Sequence, residues 1–387
     1  MAGLRIAIIL GDINPDDLGG AETHLVEVMR RLPTYGHELH VFVGSDTRIK
    51  EIFPPDNIFF YPIKYPRLPN LKGLAYAFWA TGYMLQQVKY QRFDVLHAKQ
   101  EYPHGVIGAV VSKRLGIPLY TTVQNPLGYK EELVFSGPKM LSWVSHLVKP
   151  MVQYALRNST VVAAVSNYSL ANSRKLGAKN CVLIPNGVDT QKFYPKNNEA
   201  PVKIPHLVTT STLIPRNGLD TLIKAFGLLL DSLKEANLTI AGEGPLEKRL
   251  KDLTKELGIE SKVKFIATLP HEKVPELLHS ADLFVRPSIA EGFGMSFIEA
   301  MASGVPVIAC PIGGVVDFIE NRQTGILVPP NDPQSLKKAM LNLLKDQKLY
   351  ARIRTKALQL VREKYSWDSI AARVNKTYYT LVKERVK

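Results

Sequence analysis

Short apolar runs alternate with segments of helical periodicity along the whole chain. This order indicates parallel strands that are covered by helices on both faces. It therefore predicts an α/β fold of doubly wound, Rossmann-like units. The predicted strands are 5–10, 39–44, 94–97, 119–123, 161–165, 182–185, 207–211, 238–241, 263–266, 283–286, 305–309 and 326–328. The predicted helices are 21–32, 71–90, 105–115, 140–157, 169–176, 219–233, 246–257, 273–279, 295–303 and 334–344.

The chain has 387 residues, which exceeds the size at which a single hydrophobic core keeps growing, so two domains are expected. The polar stretch TQKFYPKNNEAPVKIP lacks periodicity and separates two series of strands and helices. The linker is predicted near residues 196–205, which gives domains 1–198 and 199–366. Ligands of such sheets bind beyond the carboxyl ends of the strands, and two units that face each other would form an interdomain cleft.

The formal net charge is +14, and the basic excess is spread over both halves of the chain. A nucleic-acid-binding protein would concentrate this charge and carry a recognisable reading motif, so no nucleic-acid partner is expected. Three interpretations stay open: attraction to anionic ligands such as nucleotide phosphates, attraction to an anionic membrane surface, or solubility alone.

The two cysteines, Cys181 and Cys310, lie far apart in apolar runs, so neither a disulfide scaffold nor a zinc site is expected. The apolar run in MAGLRIAIILGD ends early and is interpreted as a first buried strand rather than a signal peptide. The uncharged stretch 73–87 is shorter than the roughly 20 residues that span a bilayer. These features predict a cytoplasmic protein.

The segment SIAEGFGMSFIEAMASGVPVIA, residues 288–309, combines two acidic residues with a glycine-rich loop. Gly292 and Gly294 allow a ligand to approach the backbone, and the following helix presents its N-terminal N–H groups, an arrangement suited to a diphosphate. Glu291 could then accept hydrogen bonds from sugar hydroxyls, and Glu299 from a ribose diol. Spacing alone leaves the alternative open that this is a capped helix with one solvated acid and one ion-paired acid.

Several ordered motifs accompany this segment. The E-x7-E pattern runs into ASGVPVIA, and the chain resembles the retaining GT-B glycosyltransferases of glycosyltransferase family 4. No G-x-G-x-x-G follows the first strand, which argues against a dinucleotide-dependent dehydrogenase. The other matching motifs are GGAE (19–22), FDVLHAK (93–99), AVSNYS (164–169), IPNGVD (184–189), AGEGP (241–245), GG (313–314), TGILVPPND (324–332) and YSW (365–367).

The resemblance implies an N-terminal acceptor domain, a C-terminal nucleotide-sugar domain and a final helix, about 367–387, that joins the N-terminal domain. It implies that Glu291 holds the donor sugar and Glu299 the ribose. It also implies retention of configuration without an essential metal, and no cofactor besides the nucleotide-diphosphate sugar as co-substrate. The remaining implied donor-site positions are the backbone amides of Gly292, Phe293, Gly294 and Met295, the phosphate loop Gly19 and Gly20, and the nucleobase loop 268–272, which includes Leu269.

The sequence departs from the family pattern where cations normally stabilise the leaving group. Thr212 stands at the usual Arg position and Asn217 at the usual Lys position, and Arg216 is expected to replace part of the missing charge. Gln124 occupies a position where the family often has a His close to the reacting sugar, and it cannot shuttle a proton. The acceptor side is assigned to His97 and Asn125, although a lone histidine after a strand, such as His97, is more often a structural hydrogen-bonding residue.

Three hypotheses follow from these departures: an active enzyme that uses Arg216, a degenerate relative that binds a nucleotide-sugar or a partner without transfer, and an enzyme with a different donor. The first is preferred because the acidic motif and its glycines are intact. The acceptor hydroxyl is expected on a lipid-linked molecule, a polysaccharide or a small molecule, as in the synthesis of cell-envelope polysaccharides or glycolipids.

The apolar segment 140–157 offers two interpretations. It could lie peripherally on the inner face of a membrane, or it could be a helix buried against its sheet. Pro150 predicts a kink within it.

Overall fold

The computed structural model describes residues 3–14, 18–44, 53, 57–67, 72–87, 90–124, 142–195, 204–267 and 269–385, with backbone only for 142–147. The chain divides into two compact units. Unit 1 comprises Met1–Asn186 and Trp367–Lys387, and unit 2 comprises Gly187–Ser366.

Unit 1 contains a seven-stranded parallel sheet with the order β3-β2-β1-β4-β5-β6-β7. Strands β1, β4 and β5 at its centre are almost wholly buried. The strands are β1 Arg5–Gly11, β2 Glu38–Gly44, β3 Ile58–Ile63, β4 Val95–Ala98, β5 Leu119–Val123, β6 Val161–Ala164 and β7 Cys181–Leu183. The helices are α1 Gly20–Arg31, α2 Lys72–Gln87, α3 Val106–Leu115, α4 Ser142–Asn158, α5 Asn167–Lys175 and the C-terminal α12 Trp367–Arg385.

Unit 2 contains a six-stranded parallel sheet with the order β10-β9-β8-β11-β12-β13. Its strands are β8 His206–Thr210, β9 Asn237–Ala241, β10 Val263–Ile266, β11 Leu283–Arg286, β12 Val307–Ala309 and β13 Ile326–Leu327. Its helices are α6 Leu219–Leu230, α7 Glu247–Glu256, α8 Val274–His279, α9 Met295–Ala302, α10 Pro333–Lys345 and α11 Gln347–Lys364. The two parallel sheets confirm the predicted pair of Rossmann-like units.

Two elements were not predicted. Strand β3 contains Pro62 and alternates irregularly between buried and exposed residues. Proline is tolerated there because β3 is an edge strand, where an N–H group is not needed for the ladder. Helix α11 begins directly after α10, where the side chain of Asp346 accepts a hydrogen bond from the Leu349 N–H as an N-cap.

The division between the units differs from the predicted boundary at 198/199. Val188 forms a bridge with Ser366, and the ring of Phe193 packs against His271, so residues 187–195 belong to unit 2. Most of the predicted linker, residues 196–203, lies outside the described residues.

Helix α4 corresponds to the segment for which a membrane position was considered. Its side chains Val152 and Leu156 are fully buried and pack with Val123 and Val162 of the sheet. The described part therefore supports the alternative of a helix buried against its sheet. None of the described helices has both the length and the apolar character that a bilayer-spanning helix requires.

Candidate active site

The loop between β11 and α9 brings Glu291 to the carboxyl end of the unit 2 sheet. Gly294 is the N-cap of α9 and has φ of 96°, a left-handed conformation that favours glycine. A Cβ on Gly313 would lie 1.6 Å from the carbonyl oxygen of Glu291, so the chain passes Glu291 at a distance that only glycine permits. The GG motif at 313–314 therefore closes directly on the acidic loop.

Glu291 is paired with a buried cation that the sequence analysis missed. Its Oε2 lies 2.6 Å from Nη2 of Arg286, the last residue of β11. The other terminal nitrogen, Nη1, lies 2.8 Å from the hydroxyl of Ser296, and the guanidinium stands 4.5 Å from the centre of the Phe297 ring. The side chain of Glu291 is 19% exposed, so the ion pair leaves part of it accessible to solvent. The only sequence signal for Arg286 was a charged residue at the end of an otherwise apolar strand.

The second acid of the motif, Glu299, lies on α9 and is largely buried. Its Oε1 is 2.9 Å from Nε2 of His271, and Nδ1 of His271 is 2.8 Å from Nζ of Lys192. Because an ammonium group can only donate, Nδ1 accepts and the imidazole proton lies on Nε2, from which it is donated to Glu299. The nucleobase loop predicted from the sequence thus contributes His271 to the site. Thr268 is outside the described residues, and Leu269 directly precedes the turn that carries His271.

The loop after β8, in which Thr212 and Asn217 replace the Arg and Lys usual in the family, is hydrogen-bonded to the acidic loop. The amide of Asn217 donates to the carbonyl oxygen of Thr212, and the carbonyl oxygen of Arg216 accepts from the N–H of Ile289. The side chain of Arg216 is exposed. Burial lowers the pKa of Arg286 below its usual range, Glu291 opposes this shift, and the charge of Arg216 adds to it. The positive charge of Arg216 therefore acts on the guanidinium of Arg286.

The predicted backbone donors lie at the start of α9. Phe293 is buried and packs on Phe318 and Tyr365, so only its backbone can meet a ligand. Gly292 and Met295 are partly exposed, at the end of the helix where N–H groups lack intrahelical acceptors.

In unit 1, the motifs collect at the carboxyl edge of the sheet. Gly19 is the N-cap of α1 and Gly20 is its first residue. Glu22, from the same motif, forms an ion pair with Lys99, which follows β4. The pairing of GGAE with LHAK is a tertiary contact between segments that follow neighbouring strands.

Gln124 follows β5 and forms two hydrogen bonds with Asn186, at 3.0 and 2.9 Å. The Oδ1 of Asn186 also lies 2.9 Å from Nδ1 of His24, and the ring of His24 contacts Trp367. The hydroxyl of Ser169 donates to the Gln124 carbonyl oxygen. The motifs AVSNYS and IPNGVD are therefore joined through Ser169 and Asn186 in one hydrogen-bond network with Gln124 and His24, and Gln124 has a fixed orientation within it. Asn125, predicted beside it, lies outside the described residues.

The assignment of His97 to the acceptor side requires correction. His97 is fully buried, with one ring nitrogen bonded to the Tyr378 hydroxyl and the other to Thr122. Burial lowers its pKa to about 3. A ring with both nitrogens engaged in the core cannot contact an acceptor, so His97 is a structural residue that connects β4 to α12.

Comparisons with known proteins identify the family of the chain. The family model "Glycosyltransferase Family 4" matches residues 18–192, and "Glycosyl transferases group 1" matches residues 190–360. N-acetyl-alpha-D-glucosaminyl L-malate synthase of Bacillus anthracis is 24% identical over 95% of both chains. Mannosylfructose-phosphate synthase of Agrobacterium fabrum is 26% identical over 92% of this chain and 85% of its own.

Solved structures show the same fold. Sucrose-phosphate synthase of Thermosynechococcus elongatus superimposes with a TM-score of 0.81, at 21% identity, over 98% of this chain and 100% of that one. Anabaena HepE, in complex with UDP and glucose, has a TM-score of 0.77 at 21% identity, over 97% of this chain and 100% of that one.

Proposed function

Because the chain belongs to glycosyltransferase family 4 and has the GT-B fold, we propose that it transfers a sugar from a nucleotide-diphosphate sugar to an acceptor hydroxyl. The observation that carries this proposal is the placement of Glu291 and Glu299 on either side of the glycine-lined start of α9, at the carboxyl edge of the unit 2 sheet. Anabaena HepE has been solved with UDP-glucose, which supports a nucleotide-sugar as the donor class.

In this proposal each group meets a distinct part of the donor. Glu291 accepts hydrogen bonds from sugar hydroxyls. The amides of residues 292–295, together with the positive end of the α9 dipole, bind the distal phosphate. Glu299 accepts from the ribose diol through Oε2 while His271 holds Oε1. Gly19 and Gly20 remain the proposed phosphate loop of unit 1.

We further propose that transfer proceeds with retention and without an essential metal. Arg216 is exposed beside the acidic loop and carries positive charge to the leaving diphosphate, as preorganised cations do where negative charge develops. Anomeric analysis of the product by NMR tests retention, and turnover in the presence of excess EDTA tests metal independence. An inverted product or a turnover that requires added Mg²⁺ would contradict the respective proposal.

A donor panel tests the proposed function directly. Hydrolysis and thermal shift are measured with UDP-glucose, UDP-N-acetylglucosamine, GDP-mannose and ADP-glucose, using the wild type, Glu291→Gln and the exposed control Glu256→Gln. We expect one donor to stabilise and turn over, with loss in Glu291→Gln and no change in the control. Binding without turnover in the presence of acceptor extracts would instead favour a degenerate binding protein.

We propose that α2, rather than α4, forms a peripheral contact with a membrane surface. On α2, Phe78 is 74% exposed and Trp79 is 45% exposed. Residues 57–93 contain five Lys or Arg and no acidic residue. Lys72 and Arg67 lie 2.7 and 3.9 Å from Asp12, so the support for an anionic lipid surface is the two exposed rings together with the remaining positive charge of this segment.

Co-sedimentation with vesicles of phosphatidylglycerol at low salt tests this contact, with phosphatidylcholine vesicles for comparison. Phe78→Ser/Trp79→Ser should lose the binding, whereas Tyr194→Ser, which removes an exposed aromatic residue of unit 2, should retain it. A wild type that stays in the supernatant with both lipids rules out membrane contact through this surface.

A further inference from the structure

The donor site of unit 2 contains a buried cation at a position where the local field disfavours one. Arg286 lies beside the first turn of α9, which is the positive end of the helix dipole, and it shares its environment with Arg216. Its side chain is only 9% exposed, so it has lost most of its hydration. An apolar residue would extend strand β11 without this electrostatic cost.

Two short contacts offset that cost and orient the guanidinium, and a longer one joins Nη1 to the carbonyl oxygen of Thr210 at 3.5 Å. Nη2 binds Oε2 of Glu291 at 2.6 Å, and Nη1 binds the hydroxyl of Ser296 at 2.8 Å. The face of the group rests on the Phe297 ring. These contacts with Glu291, Ser296 and Phe297 fix the orientation of the planar guanidinium. The fixed guanidinium in turn fixes the orientation of the Glu291 carboxylate.

We propose that Arg286 is a positioning residue of the donor site, which holds Glu291 through Oε2 and directs Oε1 toward a hydroxyl of the donor sugar. The inference rests on the proposed function and deepens it, because it assigns to this chain a buried support for the sugar-binding acid. It also gives the ion pair a role other than neutralising Glu291, since the carboxylate remains partly exposed.

The proposal separates binding of the sugar from binding of the nucleotide. Calorimetric titration is performed with UDP-glucose and GDP-mannose, and with UDP and GDP alone. Arg286→Met should weaken binding of the preferred nucleotide-sugar by about 10-fold or more, the usual range for a lost hydrogen bond to a charged group, and change binding of its nucleoside diphosphate by no more than about 3-fold. Equal losses for both ligands would show that Arg286 acts on the phosphates and would overturn the proposal.

A double-mutant cycle tests whether Arg286 acts through Glu291. If it does, Arg286→Met/Glu291→Gln should bind the nucleotide-sugar no more weakly than Glu291→Gln alone. Additive losses would overturn the proposal. Arg286→Lys should restore part of the affinity, because an ammonium group can pair with Glu291 but cannot bind Ser296 at the same time in a fixed fork.

Removing one partner of a buried ion pair is strongly destabilising, so the folding of each variant is followed by urea unfolding. If Arg286→Met does not fold, Ser296→Ala provides the second variant: it keeps the charge, loosens the guanidinium and should weaken nucleotide-sugar binding selectively. Arg249→Met, on the exposed face of α7, is the matched control and should leave both affinities unchanged. A wild type that binds none of the four donors of the panel would overturn the proposed function, whereas wild-type binding with an unaffected Arg286→Met would overturn this inference alone.

Discussion

Nζ of Lys99 lies 2.7 Å from Oε1 of Glu22, and the lysine side chain is only 5% exposed. The pair connects the segment after β4 to the first turn of α1, directly behind Gly19. A buried ammonium group requires such a partner, since an unpaired charge in the interior is strongly destabilising. The proposed phosphate loop of unit 1 therefore rests on an ion pair.

Gly19→Ala should disturb this pair without straining the backbone. Its φ of −69° suits any residue, but a Cβ would lie 2.8 Å from Oε2 of Glu22, so the carboxylate must shift, and we expect this shift to weaken the contact of its Oε1 with Lys99. We expect a loss of about 2 kcal/mol in the free energy of unfolding, measured in urea, and reduced transfer. Gly82→Ala is the control: its Cβ meets nothing within 4 Å on helix α2, so stability should rise by about 0.5–1 kcal/mol. Equal stability of Gly19→Ala and the wild type would contradict the role of the pair.

Arg216→Ala should lower the transfer rate by about 10²–10³-fold, as removal of one preorganised charge-stabilising group commonly does. Its side chain is exposed, so the urea midpoint should stay at the wild-type value. The rate is measured at saturating donor with Arg249→Ala as the control on another exposed helix. An unchanged rate would reject Arg216 as the cation of the leaving group.

Glu299→Gln should weaken the binding of UDP-glucose and of UDP to the same extent, by about 10-fold or more, because the ribose is common to both ligands. This result would contrast with Glu291→Gln, in which only the nucleotide-sugar should lose affinity. The comparison is made by calorimetric titration of both variants with both ligands. If the donor panel shows that the protein uses GDP-mannose, the two ligands are GDP-mannose and GDP. A loss confined to the sugar-containing ligand would contradict the assignment of Glu299 to the ribose.

The stability of unit 1 should fall in mild acid because its buried histidines are neutral. Burial lowers the pKa of His24 to about 4 and that of His97 to about 3. The unfolded chain binds these protons near pH 6.5, so the stabilisation is complete above that pH and is lost as the pH falls from 6.5 toward 4. Each histidine contributes a slope of about 1.4 kcal/mol per pH unit in this window.

Urea unfolding between pH 4.5 and 7.5 measures that slope. His97→Gln should be less stable at pH 7.5 and should show a smaller slope than the wild type. Tyr120→Phe retains His97, whose ring centroid lies 4.6 Å away, and should keep the full slope. An undiminished slope in His97→Gln would show that another group causes the acid sensitivity.

Much of the fold could be predicted because each signal was local. The strands of both sheets appear in the sequence as short apolar runs, and Gly304 follows the α9 segment as a helix-ending glycine. Strand β3 was missed because Pro62 argues against a strand, and only its place at the sheet edge makes proline acceptable. Unit 2 begins at Gly187, before the predicted boundary, and the local sequence does not indicate this because the burial of Phe193 depends on contacts with distant residues.

The site was predictable in part for the same reason. Glu291, Glu299 and the two glycines between them lie in one strand–loop–helix segment, so their spacing can be recognised from the local sequence. His97 shows the limit: a histidine after an apolar run has the same local signature whether it faces a ligand or the core, and its bonds to Thr122 and Tyr378 involve residues 25 and 281 positions away.

The sequence by itself determined the two parallel α/β units, the family and the two acids of the donor motif, because periodicity, glycine placement and spacing are properties of neighbouring residues. Only the tertiary structure decided which partners those acids have: Arg286 for Glu291, and His271, supported by Lys192, for Glu299. The physical reason is that charge pairing and burial act through space, and a parallel sheet brings together the ends of strands that are far apart in the chain.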